Sequence, residues 1–287
     1  MKKWLLPFAA SALAFAGVSG VSTADNGDTP RENFMANIEA GKPMRMEYEI
    51  KANAWVLILP ITGKAWFQVD IRPENYKIKS NVKTTGLADI LVNYDMELAA
   101  SGYTNLDGLD TYAYVSQNKD GKKNRRVDLK YLGNRFDMTA TPRFGNLGEP
   151  PATTEQVLDA KDPITALISY ALEPRDLETA PCGGPMKIFD GRQLTHLHFE
   201  YKGMKEVKSD AWRGQAYECH IRMDKVAGYK EGEANKDTLT GIDGPLKLWL
   251  APLPNGATVP VRIEADTEDI GKVTLQAGSL NFFPLEE

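Results

Sequence analysis

The chain has three histidines, and two of them share the segment His196-Leu197-His198-Phe199-Glu200. On an extended strand, residues i, i+2 and i+4 point to one side, so His196, His198 and Glu200 form one row. Two imidazoles and a carboxylate are sufficient donors for a zinc ion with an open position, which would activate water in a metal-dependent hydrolase. The same row arises on any half-buried strand in which Leu197, Phe199 and Tyr201 fill a core and the polar three meet water. Both readings fit the residues.

Other catalytic chemistry finds few parts. There is no Gly-x-Ser-x-Gly elbow, no Cys-x-x-Cys and no Gly-x-Gly-x-x-Gly. His220 follows Cys219, but neighbours on a strand face opposite ways, which separates a thiol from its base. Asp266, Glu268 and Asp269 read as a solvated hairpin end before Gly271. No cofactor is expected, and the chain is read as non-catalytic.

Lys119, Lys122, Lys123, Arg125 and Arg126 surround Asp120-Gly121. They read as a charged hairpin tip that discourages edge-to-edge association, or as a contact for acidic envelope polymers. With 39 acidic against 34 basic side chains, the formal net charge is −5. A mildly acidic chain offers no broad basic field, so no nucleic-acid partner is expected. Trp55-Val56-Leu57-Ile58-Leu59-Pro60-Ile61 is continuous rather than alternating. It reads as a strand covered on both sides, or as an apolar wall in which Trp55, Leu57 and Leu59 would meet an apolar ligand or an envelope partner.

Compartment is read from the first residues. Lys2 and Lys3 precede an apolar run from Trp4 to Val18 and small residues ending at Ala24, the layout of a cleaved secretory signal peptide. A span needs about 20 apolar residues, so residues 1–24 are expected to be removed, leaving no transmembrane segment and a periplasmic protein. No Cys lies near the cleavage site to take a lipid anchor. In an oxidising compartment Cys182 and Cys219, 37 positions apart, are expected to form a disulfide. Closing such a loop is worth roughly 3–4 kcal/mol by chain entropy.

The elements that must hold these groups follow from periodicity. Residues 25–43 are polar and read as a flexible lead-in, and residues 44–287 as one β-rich domain with an internal boundary near 142–160. Met44, Met46, Tyr48 and Ile50 alternate with charged residues, the mark of a half-buried strand. About a dozen such strands follow, including Leu194–Tyr201, a separate strand near Lys205–Asp210, and Tyr217–Lys225. Leu87–Val92 read as one or two helical turns. The main helix is expected near 162–173, with Asp162 as N-cap, Pro163 at its first position and Pro174 beyond it. The fold class expected is mainly β: a single large curled antiparallel sheet, half-open barrel or β-spiral, with that one main helix.

Several segments resemble a known family: Asp162-Pro163-Ile164-Thr165-Ala166-Leu167, Cys182-Gly183-Gly184, Ile188-Phe189-Asp190-Gly191-Arg192, Gly214 to Cys219, Val226-Ala227-Gly228-Tyr229 and Val259-Pro260-Val261-Arg262. In order and spacing they are similar to the exported bacterial proteins called domain of unknown function 3108. The resemblance runs from Tyr48 to the C-terminus and is densest over 160–264. It implies the same cysteine pair but transfers no catalytic residue. In shape the chain also resembles periplasmic lipoprotein carriers and envelope-integrity β-spiral proteins, which implies a concave sheet able to hold an acyl chain or a peptide. The expected function is therefore a non-catalytic periplasmic protein binding an apolar ligand or envelope component, with an envelope-integrity interaction protein as the alternative.

Overall fold

The computed structural model describes residues 43–56, 59–86, 93–105, 108–121, 124–172, 175–231, 242–252, 258–267 and 271–285. Residues 1–24, read above as a leader, most of the expected lead-in, Leu87–Val92 and Pro174 lie outside them. The described residues form thirteen strands: β1 (Met44–Val56), β2 (Leu59–Ile71), β3 (Tyr76–Thr85), β4 (Asp95–Asn105), β5 (Gly108–Asn118), β6 (Arg126–Tyr131), β7 (Phe136–Thr141), β8 (Met186–Phe189), β9 (Leu194–Lys208), β10 (Arg213–Ala227), β11 (Ile242–Pro252), β12 (Thr258–Thr267) and β13 (Gly271–Pro284). All belong to one antiparallel sheet in the order β7-β6-β5-β4-β3-β2-β1-β13-β12-β11-β10-β9-β8. Strand follows strand as a meander, except that β1 and β13 pair in its middle. The ladder is broken between β7 and β8, where the Pro- and Gly-rich stretch near 142–160 lies. The sheet is curled and not closed, as the alternation implies.

The break is spanned by two helices among the described residues, α1 (Thr154–Leu158) and α2 (Pro163–Leu172). Thr153 and Gln156 cap α1 reciprocally: the Thr153 hydroxyl accepts the Gln156 N–H at 3.2 Å, and the Gln156 side chain accepts the Thr153 N–H at 2.9 Å. Asp162 caps α2, accepting the Thr165 N–H at 2.9 Å and the Thr111 hydroxyl at 2.7 Å. The Tyr76 hydroxyl lies 2.8 Å from that of Thr165, so the start of the helix is fastened to β3 and β5. Asp162 is fully buried, and that burial raises its carboxyl pKa against the pull of these hydrogen bonds. Helix α2 buries Ile164, Ile168 and Leu172 with Tyr76, Ile78, Tyr114 and Leu129 of the sheet.

Two features depart from the periodicity. The expected separate strand at Lys205–Asp210 does not exist: β9 runs unbroken to Lys208. The ladder to β10 slips between Glu218 and Cys219, where Gly203 opposes Glu218 and Tyr201 opposes Cys219. Lys202 is the extra residue, Gly203 takes φ +120°, and the change of alternation across this bulge imitates a strand boundary. The apolar run beginning at Trp55 is not one strand: Trp55 and Val56 end β1 and Leu59 to Ile61 begin β2, with Trp55 opposite Pro60 and Val56 opposite Leu59.

The β9–β10 hairpin end reaches β13 and β1. The Ala211 N–H donates to the Ala277 carbonyl at 3.3 Å, and Lys51 Nζ meets Asp210 Oδ2 at 2.6 Å. Trp212 lies beside Tyr48, Val261, Ala277 and Leu280. On the opposite side of the curl, the segment after β7 is strapped to the end of β10. The Glu149 N–H donates to Tyr229 O and the Gly228 N–H to Pro150 O, both at 2.9 Å.

Candidate functional site

Helix α2 has ten residues and is about 15 Å long at 1.5 Å per residue. Thirteen strands at about 4.8 Å spacing make an arc of roughly 57 Å. The helix therefore covers only part of the concave face, and apolar side chains of β8 to β11 are left to line a cleft.

Register builds that cleft. On one face Leu197 stands opposite Met223 and Phe199 opposite Ile221, and Ile221 in turn opposes Leu246 of β11. With Ile188 of β8 these residues border a space of about 640 Å³, whose wall also includes Thr195, His198, Glu200, His220, Arg222, Gly244 and Pro245. That volume lies within the range of small-molecule sites, about 300–1,000 Å³. The flank nearest the helix is rigid. Tyr170 stacks on Phe199 with ring centres 4.7 Å apart, and its hydroxyl donates to the Cys182 carbonyl at 2.7 Å. Cys182 is bonded to Cys219, with their Cα atoms 5.9 Å apart. Both cysteines are buried among Tyr170, Leu248 and Leu250.

The histidine row takes the opposite parity. His196 opposes Asp224, His198 opposes Arg222 and Glu200 opposes His220. His198 Nε2 lies 2.7 Å from Asp224 Oδ2, and His220 Nε2 lies 3.0 Å from Glu218 Oε1. Glu200 pairs with Lys202, and Arg222 with Asp224. Burial, then the charge of Lys187, lowers the His196 pKa and favours its neutral ring. His196, His198 and Glu200 share one strand face, yet among the described residues no three His, Cys, Asp or Glu side chains converge as a metal site.

The other sequence candidates lie elsewhere. Leu57 is outside the described residues, and Trp55 and Leu59 belong to β1 and β2, in another arm of the sheet from the strands β8 to β11 that carry the cleft. Of the basic cluster, Lys119 pairs with Glu97 at 2.5 Å, Arg126 with Asp128 at 2.7 Å, and Arg125 donates to the carbonyls of Pro142 and Arg143. Lys122, Lys123, Glu268 and Asp269 are outside the described residues. Leu197, Phe199, Ile221 and Met223 look like core in the sequence. The signal that separates them is the mismatch between one short helix and so wide a sheet.

The model for the family described as "Protein of unknown function (DUF3108)" matches residues 47–277. No curated protein matches the chain. Among solved structures, the chain is similar to a β-barrel-like protein of domain of unknown function DUF1849 from Brucella abortus. The two are 13% identical, covering 84% of this chain and 98% of that one, with a TM-score of 0.46. A DUF1329 family protein from Desulfovibrio piger ATCC 29098 is 10% identical over 86% of this chain and 88% of that one, with a TM-score of 0.25.

Proposed function

The chain belongs to the DUF3108 family of proteins of unknown function, and on that premise we propose that it is a non-catalytic periplasmic protein sheltering an apolar ligand in the cleft of β8 to β11. The observation that carries this reading is the cleft of about 640 Å³ walled by Ile188, Leu197, Phe199, Ile221, Met223 and Leu246. Large apolar side chains aligned on four paired strands gain most when an apolar body excludes water from them. The stacked Tyr170 and Phe199 and the adjoining disulfide hold one flank, so little ordering cost falls on binding. The leader supplies the compartment, and the paired state of His198 and His220 suits a structural strand face better than a catalytic one.

Native mass spectrometry of the exported chain, followed by titration with a fluorescent long-chain fatty acid, tests the proposal. Saturable binding that weakens at least about tenfold in Met223→Trp, which fills the cleft, is the expected result. A chain that carries no apolar molecule and binds no such probe would defeat it.

The second reading, an envelope-integrity protein acting by contact, draws on Tyr201 and Met204 of β9, which are 45% and 41% exposed. Crosslinking in cells that traps one defined protein through these residues, with an empty cleft, favours that reading.

A further inference from the structure

The cleft ends at an aromatic wall. On β9 the side chains of Thr195, Leu197, Phe199 and Tyr201 alternate onto one face, and Phe199 divides it. On one side lies the buried cluster of Tyr170, Cys182 and Cys219, with Cys219 opposite Tyr201. On the other side lie Thr195, Leu197 and Met223 of the cleft. Side chains stand roughly perpendicular to a sheet, so Phe199 is a partition. One face of its ring meets Tyr170, and the other is turned to the cleft.

The partition is held in place before any ligand arrives. Tyr170 stacks on Phe199 with centres 4.7 Å apart, and the Arg175 guanidinium carbon lies 3.9 Å from the Tyr170 ring centre. Gly184 approaches so closely that a Cβ there would stand 2.5 Å from Phe199 Cδ2. Phe199 therefore cannot swing aside without displacing α2 or the loop at Cys182. An aromatic face fixed in this way loses little freedom on binding.

The floor beside it is broad in both directions. It crosses four strands from Ile188 of β8 to Leu246 of β11, three spacings or about 14 Å. Along β9 it runs from Thr195 to Phe199, about 13 Å at 3.3 Å per residue. A space of about 640 Å³ over a floor of that size is a wide, shallow layer, not a bore. One extended chain would cover a single row of side chains and leave the neighbouring rows wet. A flat ring system covers several rows at once, and the gain grows with the apolar area covered.

We propose that the cleft takes a flat, fused-ring aromatic ligand that lies on the strand floor with its edge against Phe199. The edge of an aromatic ring is positive and the face of Phe199 negative, so this contact adds to the area buried. A saturated chain has no such edge. The inference rests on the cleft being a ligand site, as proposed above, and adds the class of ligand.

Calorimetric titration of the purified protein with anthracenyl propionate and, separately, with heptadecanoate, a flexible acid of equal carbon count, tests it. The ring acid should bind at least about threefold more tightly. Phe199→Leu keeps apolar bulk but has no ring face. It should weaken the ring acid roughly threefold to tenfold and move heptadecanoate by less than about twofold. In the wild type, the edge protons of the bound ring should shift upfield in the NMR spectrum, as protons over an aromatic face do. That readout stands even if Phe199→Leu fails to fold. Heptadecanoate binding as tightly as the ring acid, equal losses of both in Phe199→Leu, or unshifted ring protons would overturn this inference and leave the cleft reading in place. Binding of neither acid would overturn both.

Discussion

Tyr170 of α2 lies flat on Phe199 of β9, their rings 4.7 Å apart and within 19° of parallel. The contact fixes the helix to the arm of the sheet that its N-terminal cap does not reach. Asp162 binds the β5 side, and Tyr170 binds the β9 side. Replacing Tyr170 with Ala should cost roughly 3–5 kcal/mol, in line with losing a buried aromatic ring. Tyr170→Phe keeps the stack and loses one hydrogen bond to Cys182, a loss of about 1 kcal/mol. Denaturant midpoints compare the two, and equal losses would show that the ring contact contributes nothing.

Cys182→Ser and Cys219→Ser each break the same bond and should lower stability equally, by up to roughly 3–4 kcal/mol. A reducing agent should lower the wild-type melting temperature to that of the variants and leave the variants unmoved. Unequal losses, or a wild type indifferent to reduction, would contradict the bond.

Two buried carboxylates should respond to acid with opposite signs. Burial alone would raise the Glu264 pKa, but hydrogen bonds from Lys272 at 2.6 Å and Arg262 at 2.7 Å outweigh it and hold it below 4.5. Its stabilisation is therefore present above the unfolded value and is lost as pH falls through the folded one. Glu264→Gln should cost roughly 1.5–3 kcal/mol at neutral pH and little at strongly acidic pH. Asp162 is raised above 3.8 by burial, so ionising it opposes folding as pH rises. Asp162→Asn keeps an acceptor for the Thr165 N–H and should gain relative stability from pH 3.8 upward. Urea titrations across pH 3–7 follow both, and parallel curves for the two variants would refute the assignment.

His196→Ala with His198→Ala should leave the response of the melting temperature to added zinc unchanged, because His198 is engaged with Asp224 and no third donor converges among the described residues. Stoichiometric zinc in the purified protein, removed by these substitutions, would restore the hydrolase reading.

Much of the sheet is legible in the residues because one face of most strands is buried and the other solvated. The alternation of Met44, Met46 and Tyr48 against Arg45, Glu47 and Glu49 locates β1 directly. The signal fails where geometry changes parity without a break in the strand, as at Lys202 and Gly203. It fails also where one apolar run is shared by two strands, as at Trp55 and Val56 of β1 and Leu59 to Ile61 of β2. The capping box of Thr153 and Gln156 was there to mark α1, but five helical residues show too little periodicity to stand out. The cleft was illegible for a different reason. Its walls have the composition of a core, and only the count of strands against one short helix shows that the helix cannot cover them all.

Gly148 and Gly228 sit back to back where the segment after β7 meets the end of β10, both with positive φ, +89° and +83°. A Cβ on Gly148 would strike the backbone of Gly228, and one on Gly228 would strike Arg192 and Gln193. Gly228→Ala should destabilise by more than the roughly 1 kcal/mol of an αL penalty alone, because backbone cannot swing aside as a side chain can. A melting temperature within about 2 °C of wild type would refute the contact.

The seam between β1 and β13 governs the order of assembly. Tyr48 finds Leu280 across it, at almost the full span of the described chain. A polypeptide that folds from its amino end completes β1 to β7 as one ribbon, then β8 to β12 as another. Their junction waits for the final strand. During that interval the free border of β1 is a template for stray strands, so the vulnerable moment of this protein comes just before its last fourteen-residue strand docks.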